Sequence, residues 1–333
     1  MSTFFIESTR GGRRESEHLV SLAVVDTTGR LLASAGDCAR ETYWRSAAKP
    51  LQALALVDEG AADRFQLSDE ALALACASHS SEPCHLAVAS EILAACDCGE
   101  DHLACGPHPP LTALAHVDVT AAPPPWRPLG SNCSGKHAAM LALARHLDLD
   151  LRGYEREDHP LQRRILDDIA RTTGQSRADI GLATDGCRAV TFFVSLAAMA
   201  RAWAYFGASA DEAPRRLREA CWRHPTLVAG TGRPCTRLLE AGRGTLLVKV
   251  GAEGVYCAAL PQAGLGVALK VESGDMRAAP VALCAALADL EERLALGLEI
   301  FTATLADLAE TPLRDTRGEI IGSLRRGGQL TLC

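Results

Sequence analysis

Ser46-Ala47-Ala48-Lys49-Pro50 is the stretch from which the fold of this 333-residue chain can be read outward. A serine three residues before a lysine brings the amine over the hydroxyl on one face of a helix. Serine is a favoured N-cap and proline is tolerated in the first turn, so the stretch reads as a helix start. The apolar positions Leu51, Leu54 and Leu56 continue that helix from about Ala47 towards Gly60. N–H groups at such a helix start could also stabilise developing negative charge. An ordinary capped helix explains the same residues, so the pattern needs support from elsewhere in the chain.

Support comes from the lysine count and from a second motif. Of 34 basic residues only four are lysines, Lys49, Lys136, Lys249 and Lys270. Arginine stays protonated in proteins, whereas a desolvated lysine can act as a base or even a ligand. Positions that kept lysine are therefore candidates for chemistry that arginine cannot do. Lys249-Val250-Gly251 opens a run of C-terminal strands. Penicillin-binding proteins and class A β-lactamases carry S-x-x-K at a helix start and K-T-G on a sheet strand, and the order and placement here resemble that architecture. Valine replaces the threonine, which removes a hydroxyl from the site.

Around these motifs the chain reads as strands at both ends and helices in the middle. Leu19 to Val25, the turn Asp26-Thr27-Thr28-Gly29 and Leu31 to Ala35 predict a hairpin. Helices are expected at 69–77, 84–96, 135–147, 160–173, 190–205 and 212–223, with Ser81 capping the second of them. Pro107 to Pro110 and Pro123-Pro124-Pro125 bracket an irregular stretch. Thr245–Val250, Val255–Leu260 and Gly266–Val271 predict an antiparallel meander, followed by a long helix over 280–295. The expected fold is α/β of the α+β type. An antiparallel sheet from the N- and C-terminal strands carries flanking helices, with a mainly helical lobe inserted between. The sheet lobe takes 1–45 and 240–333, and the helical lobe 46–239.

Composition narrows the function classes. A net charge of −7 and a pI near 5.8 argue against a nucleic-acid or membrane-surface partner. No uninterrupted apolar stretch is long enough for a transmembrane helix, and Met1 to Arg14 lack the apolar core of a signal peptide, so a cytoplasmic protein is expected. Thirteen cysteines, an odd number, point to small core residues rather than a disulfide framework.

A few of those thiols could bind metal. Ser131-Asn132-Cys133-Ser134-Gly135-Lys136-His137 opens a helix and sets Cys133 and Lys136 on one face. Thr184-Asp185-Gly186-Cys187 carries a second loop-borne thiol. Two thiolates could hold zinc, with nitrogen or water completing the site, or both could be buried structural cysteines. A rival cluster is Cys96, Cys98, His102, Cys105 and His108, whose spacing departs from that of zinc fingers. In the polar loop Ser78-His79-Ser80-Ser81-Glu82-Pro83, nothing local marks Ser78 as catalytic.

Taken together, these segments resemble the Rhizobium-type L-asparaginases, the asparaginase II family. The likeness runs in order through Thr9-Arg10-Gly11-Gly12, Arg45 to Gln52, Ala77 to Ser80, Cys105 to His108, Ser131 to His137, Thr184 to Cys187, Gly230 to Arg233 and Lys249 to Gly254. The resemblance implies a fold similar to serine β-lactamases and glutaminases. It also implies hydrolysis of L-asparagine to L-aspartate and ammonia by two Ser-Lys pairs, Ser46 with Lys49 and Ser78 with Lys249. Zinc held by Cys133, Lys136 and Cys187 follows from the same likeness. Arg45, His137, Asp185 and Cys235 are then substrate-binding candidates, in a cytoplasmic homodimer. A glutaminase, a β-lactamase-like acyl hydrolase or a catalytically silent ligand-binding relative are the alternatives. Two positions depart from the family: Arg188 follows Cys187 where a small residue is common, and Ser81 stands where glycine is common.

Overall fold

A computed structural model describes residues 4–109, 111, 126–296 and 302–333. Much of the proline-bracketed stretch lies outside the described residues. In chain order come β1 (Phe5–Arg10), β2 (Arg13–Asp26), β3 (Leu31–Ala35), β4 (Glu41–Tyr43) and a 3-10 turn at Arg45–Ala48. Helices α1 (Lys49–Gln52), α2 (Leu54–Asp58), α3 (Ala61–Arg64), α4 (Asp69–Ala75), α5 (Pro83–Ala95), α6 (Ser134–His146) and α7 (Pro160–Thr173) follow. Then come β5 (Gly181–Thr184), β6 (Val190–Ser195), α8 (Leu196–Ala208), α9 (Glu212–Arg223), α10 (Pro225–Val228) and α11 (Pro234–Ala241). The chain closes with β7 (Leu247–Val250), β8 (Val255–Leu260), β9 (Leu265–Val271), α12 (Ala278–Leu294), α13 (Thr302–Ala309), β10 (Glu310–Arg314), β11 (Ile320–Gly327) and β12 (Thr331–Leu332).

These elements form two compact units, one of residues 1–47, 194–208 and 237–333, the other of 48–193 and 209–236. The first unit is built on an antiparallel sheet in the order β10-β11-β1-β2-β9-β8-β7, with β3 pairing both β2 and β12. Residues Val20 to Val25 of β2 are buried and pair with β9 from Val20↔Val271 to Val25↔Gly266. Helix α8 packs on β2, β8 and β9, and α12 on β8 and β9. The contact of α8 is so close that a Cβ on Gly266 would fall 1.8 Å from the Ala200 carbonyl oxygen, so glycine is required there. Segment 194–208 thus belongs with the sheet, not with the helical lobe where the sequence reading put it.

The helix expected over 190–205 is corrected in the same region. Val190 to Ser195 is a strand paired with β5, from Gly181↔Phe193 to Thr184↔Val190, and the helix begins only at Leu196. Val190-Thr191-Phe192-Phe193-Val194 is β-branched or aromatic throughout, which favours a pleated surface over a helix. The expected long helix after Lys49 is also broken, into the 3-10 turn, α1 and α2. Ser46 lies inside that turn rather than capping a helix, after Arg45 at a φ of 54°. The N-cap of α5 is Glu82, in a box with His85, and Ser81 instead sits at a φ of 62° with its hydroxyl on the Gly130 carbonyl.

In the second unit α6 is buried along Ser134 to Ala144. Its first turn meets α4 at Gly135, where a Cβ would lie 2.5 Å from the Leu74 carbonyl oxygen. Helix α7 starts at Pro160, with His159 accepting the Leu161 N–H at 3.1 Å, and stops at Gly174, whose φ is 73°. Its buried face is Leu161, Ile165, Leu166 and Ile169.

Candidate active site

Two of the four lysines lie in the second unit, and both are buried. Lys49, the first residue of α1, is 1% exposed, and its Nζ donates to Ala77 O at 2.5 Å, Ser78 Oγ at 3.0 Å and Asn132 O at 3.4 Å. Cys133 Sγ is also 3.0 Å away. One amine therefore ties α1 to the loop after α4 and to the turn before α6. The serine whose hydroxyl it meets is Ser78, the residue for which the sequence held no local signal.

The Ser78 loop is held from several sides. Ser78 N donates to Val228 O at 3.0 Å, and Arg233 Nη1 donates to Ser78 O at 2.6 Å and Ala229 O at 3.0 Å. Ser80 Oγ donates to Ala229 O at 3.0 Å. Gly230, at a φ of 135°, is needed because a Cβ there would fall 2.5 Å from Ser80 Oγ. His79 is fully buried, hydrogen-bonded to Ser134 Oγ at 3.0 Å and stacked on His85 at 4.9 Å between ring centroids. Burial, reinforced by the nearby His85 and Lys49, lowers its proton affinity well below that of an exposed histidine, so the ring is neutral at physiological pH.

The second cluster joins α6 to the turn after β5. Lys136 Nζ lies 3.1 Å from Cys187 Sγ, and Cys133 shares a hydrogen bond with the same sulfur. The thiolate belongs on Cys187. The Cys133 hydrogen bond lowers its pKa first, Lys136 and His137 add to this, and together they outweigh burial. Cys133 moves the opposite way, because it hydrogen-bonds that thiolate and is itself buried. Burial disfavours the Lys136 ammonium, but the Cys187 thiolate beside it and Asp185 prevail and raise its pKa. His137 Nδ1 meets Tyr154 Oη at 2.6 Å, and that hydroxyl accepts the Ala104 N–H at 3.0 Å. Burial lowers the His137 pKa, and its Nε2 is buried without a hydrogen-bond partner among the described residues.

The Cys133 and Cys187 sulfurs and the Lys136 amine, all buried, are donors of the kind zinc accepts. Asp185 closes the same turn, with its N–H on Ala189 O at 2.8 Å and its Oδ1 accepting the Gly186 N–H at 2.7 Å. Cys235 is buried on α11 beside Thr236, which bonds Gly230 O at 2.6 Å. The rival cluster is not assembled as a metal site. The Cys96 thiol donates to Leu93 O, Cys98 to Cys96 O and Cys105 to Pro128 O, while His102 caps its own turn and His108 receives the Asn132 N–H. Burial pushes the Cys96 thiol up to about 12 and Cys105 to about 11. All thirteen cysteines are free.

In the first unit Lys249 is 1% exposed on β7, opposite Cys257 on β8, and its Nζ donates to Val250 O at 3.0 Å. Gly251 ends that strand where a Cβ would meet Trp44 O at 3.0 Å, so the Lys249-Val250-Gly251 strand end packs on the backbone that leads into Arg45 and Ser46. Arg45 and Ser46 are both half-buried. Sequence reasoning passed over His79, Tyr154 and Arg233 as site residues. His79 and Arg233 had a signal, their places in Ala77-Ser78-His79-Ser80 and Gly230-Thr231-Gly232-Arg233.

A chain with buried serine–lysine and thiol–lysine clusters on such a scaffold belongs to the L-asparaginase II family, whose model matches residues 6–326. It is accordingly an amidohydrolase of the asparaginase type, acting on a small-molecule amide. A β-lactamase from Mycobacterium bovis is similar over 87% of this chain and 94% of its own, at 13% identity and a TM-score of 0.30. Among curated proteins nothing matches. Among the described residues no helix is long and apolar enough to cross a membrane.

The depressed pKa of His79 makes a pH prediction. Its unfolded form takes up a proton near pH 6.5 and its folded form only at lower pH, so stability falls as pH drops through that range. One such group contributes a slope of up to ~1.4 kcal/mol per pH unit. Urea unfolding of wild type and His79→Gln between pH 7 and 5 should show a shallower acid loss in the variant. Equal slopes would mean that His79 is protonated in the folded chain.

Proposed function

We propose that the chain hydrolyses L-asparagine to L-aspartate and ammonia. The observation that carries this reading is Lys49, a lysine 1% exposed whose amine is hydrogen-bonded to the Ser78 hydroxyl at 3.0 Å, in a chain of the L-asparaginase II family. Ser46 Oγ attacks the side-chain amide carbon while Lys49 takes its proton. The amide nitrogen leaves as ammonia, with Ser78 and Lys249 relaying its proton, and a β-aspartyl ester remains on Ser46. Water then releases L-aspartate and restores the serine. Arg45 is the proposed clamp for the substrate carboxylate, and His137, Asp185 and Cys235 are the other proposed substrate contacts.

Cys133, Lys136 and Cys187 are the proposed zinc ligands, and bound zinc supplies a Lewis acid that polarises or orients an oxygen. Lys136 has to give up its proton to ligate. A cytoplasmic homodimer completes the proposal. The 3.0 Å contact between Lys49 and Ser78 also supports a second assignment, with Ser78 as the nucleophile that Lys49 activates.

Ammonia release from L-asparagine, L-glutamine and a chromogenic β-lactam separates the substrate readings. Asparagine should be turned over fastest, and a preference for either other compound would replace the assignment. Ser46→Ala should reduce turnover at least about a thousandfold with the fold retained, and Lys49→Arg nearly as much, because arginine supplies charge and no base. Turnover that survives Ser46→Ala and vanishes in Ser78→Ala would exchange the two serines.

Elemental analysis of tag-free protein should find a single zinc per chain, lost in Cys187→Ser. Zinc retained in Cys187→Ser and lost in Cys105→Ser would assign the other cluster.

A further inference from the structure

Tyr154 stands in the turn between α6 and α7 and is 1% exposed. The buried Gln162 of α7 anchors it, with Nε2 donating to Tyr154 O at 2.9 Å. The phenol ring meets the fully buried His137 of α6 edge-on, at 5.6 Å between centroids and 76° between planes. The hydroxyl accepts the Ala104 N–H at 3.0 Å, and His137 Nδ1 lies 2.6 Å from the same oxygen.

These contacts fix the hydrogens by elimination. A phenol has one hydrogen to give, and burial raises the pKa of Tyr154, so the hydrogen stays on. Suppose that His137 carried a hydrogen on Nδ1. That N–H would point at the phenol oxygen, and the Tyr154 O–H would be left buried without an acceptor among the described residues. The O–H therefore donates to Nδ1, and the ring hydrogen sits on Nε2. Cys187 and Lys136 both act on this ring, so the Nε2 hydrogen belongs to the thiol–lysine cluster. A nitrogen that carries hydrogen has no lone pair in the ring plane, so it can neither ligate a metal nor take up a proton. It can only donate.

The geometry assigns Tyr154 as a positioning residue, which locks His137 with its hydrogen on Nε2 and so presents a hydrogen-bond donor to an oxygen of the amide substrate. The substrate half of this assignment rests on the proposed amide hydrolysis, and the tautomer rests on the hydrogen bonds alone. His137 is thereby withheld from zinc, which leaves Lys136 as the nitrogen donor of the cluster.

Long-range 1H–15N correlation of the histidine rings, on the full chain without substrate, reads the tautomer directly, and His137→Gln identifies the His137 signals. His137 should carry its hydrogen on Nε2 in both zinc-free and zinc-loaded protein. Tyr154→Phe keeps the aromatic ring and removes the donor, so a measurable fraction of the hydrogen should move to Nδ1. Adding L-asparagine to Ser46→Ala should shift the Nε2 resonance. In steady-state kinetics Tyr154→Phe should raise KM for L-asparagine about tenfold with a smaller change in kcat, and elemental analysis should find its zinc content unchanged. A purely structural tyrosine would lower the unfolding midpoint and leave the tautomer alone. A hydrogen on Nδ1 in wild type, with or without zinc, or a wild-type tautomer in Tyr154→Phe would overturn the proposal. So would an Nε2 resonance unmoved by L-asparagine in a chain whose wild type hydrolyses it. A wild type without turnover of L-asparagine would reject the amide reading instead, while the substrate-free spectra still decide the tautomer.

Discussion

The hydrogen bonds of Lys49 are the constraint on which the second unit depends. A lysine 1% exposed has left water, and the loss is compensated only if its protons find acceptors. Two segments distant in sequence supply them: the Ala77-Ser78 loop, and the turn with the carbonyl of Asn132 and the sulfur of Cys133. Much of the surrounding detail serves to hold those acceptors. Arg233 and Val228 fix the Ser78 backbone, His79 and Ser134 join the loop to α6, and Gly135 lets α6 approach α4. Arginine at position 49 would be longer and planar, and could not direct a single nitrogen at this set.

The thiol cluster repeats the logic with the charges placed differently. Lys136 is buried against an anion, so the ion pair with Cys187 replaces the solvation that both groups lose. Cys133 stays a thiol and donates to that thiolate. Both clusters start from the turn at Asn132-Cys133-Ser134. Cys133 is therefore a neighbour of both lysines, and a change there would disturb both at once.

Much of this was legible in the sequence where local pattern decides structure. Helices α7 and α9 and the strand β8 follow the expected spans because their periodicity, caps and turn residues agree. The chain resisted where tertiary pairing outweighs local pattern. Strands β1, β10 and β11 carry charged residues and alternate weakly, so only pairing such as Glu7↔Arg325 defines them. The Val190 to Ser195 run was absorbed into the helix that follows it. At the site, lysine scarcity pointed to Lys49, Lys136 and Lys249, each buried in the fold. No spacing rule could have shown that Lys49 meets Ser78, because 29 residues separate them and only packing joins them. Tyr154, which orients His137, was hidden for the same reason.

The central claim is that Ser46, three residues before this lysine, carries the acyl group. Rapid acid quench of the protein with L-asparagine in the steady state, followed by peptide mass analysis, tests it most directly. The account predicts a β-aspartyl ester on the peptide containing Ser46, absent from Ser46→Ala. An aspartyl adduct on Ser78 or Cys133, with Ser46 unmodified, would contradict it.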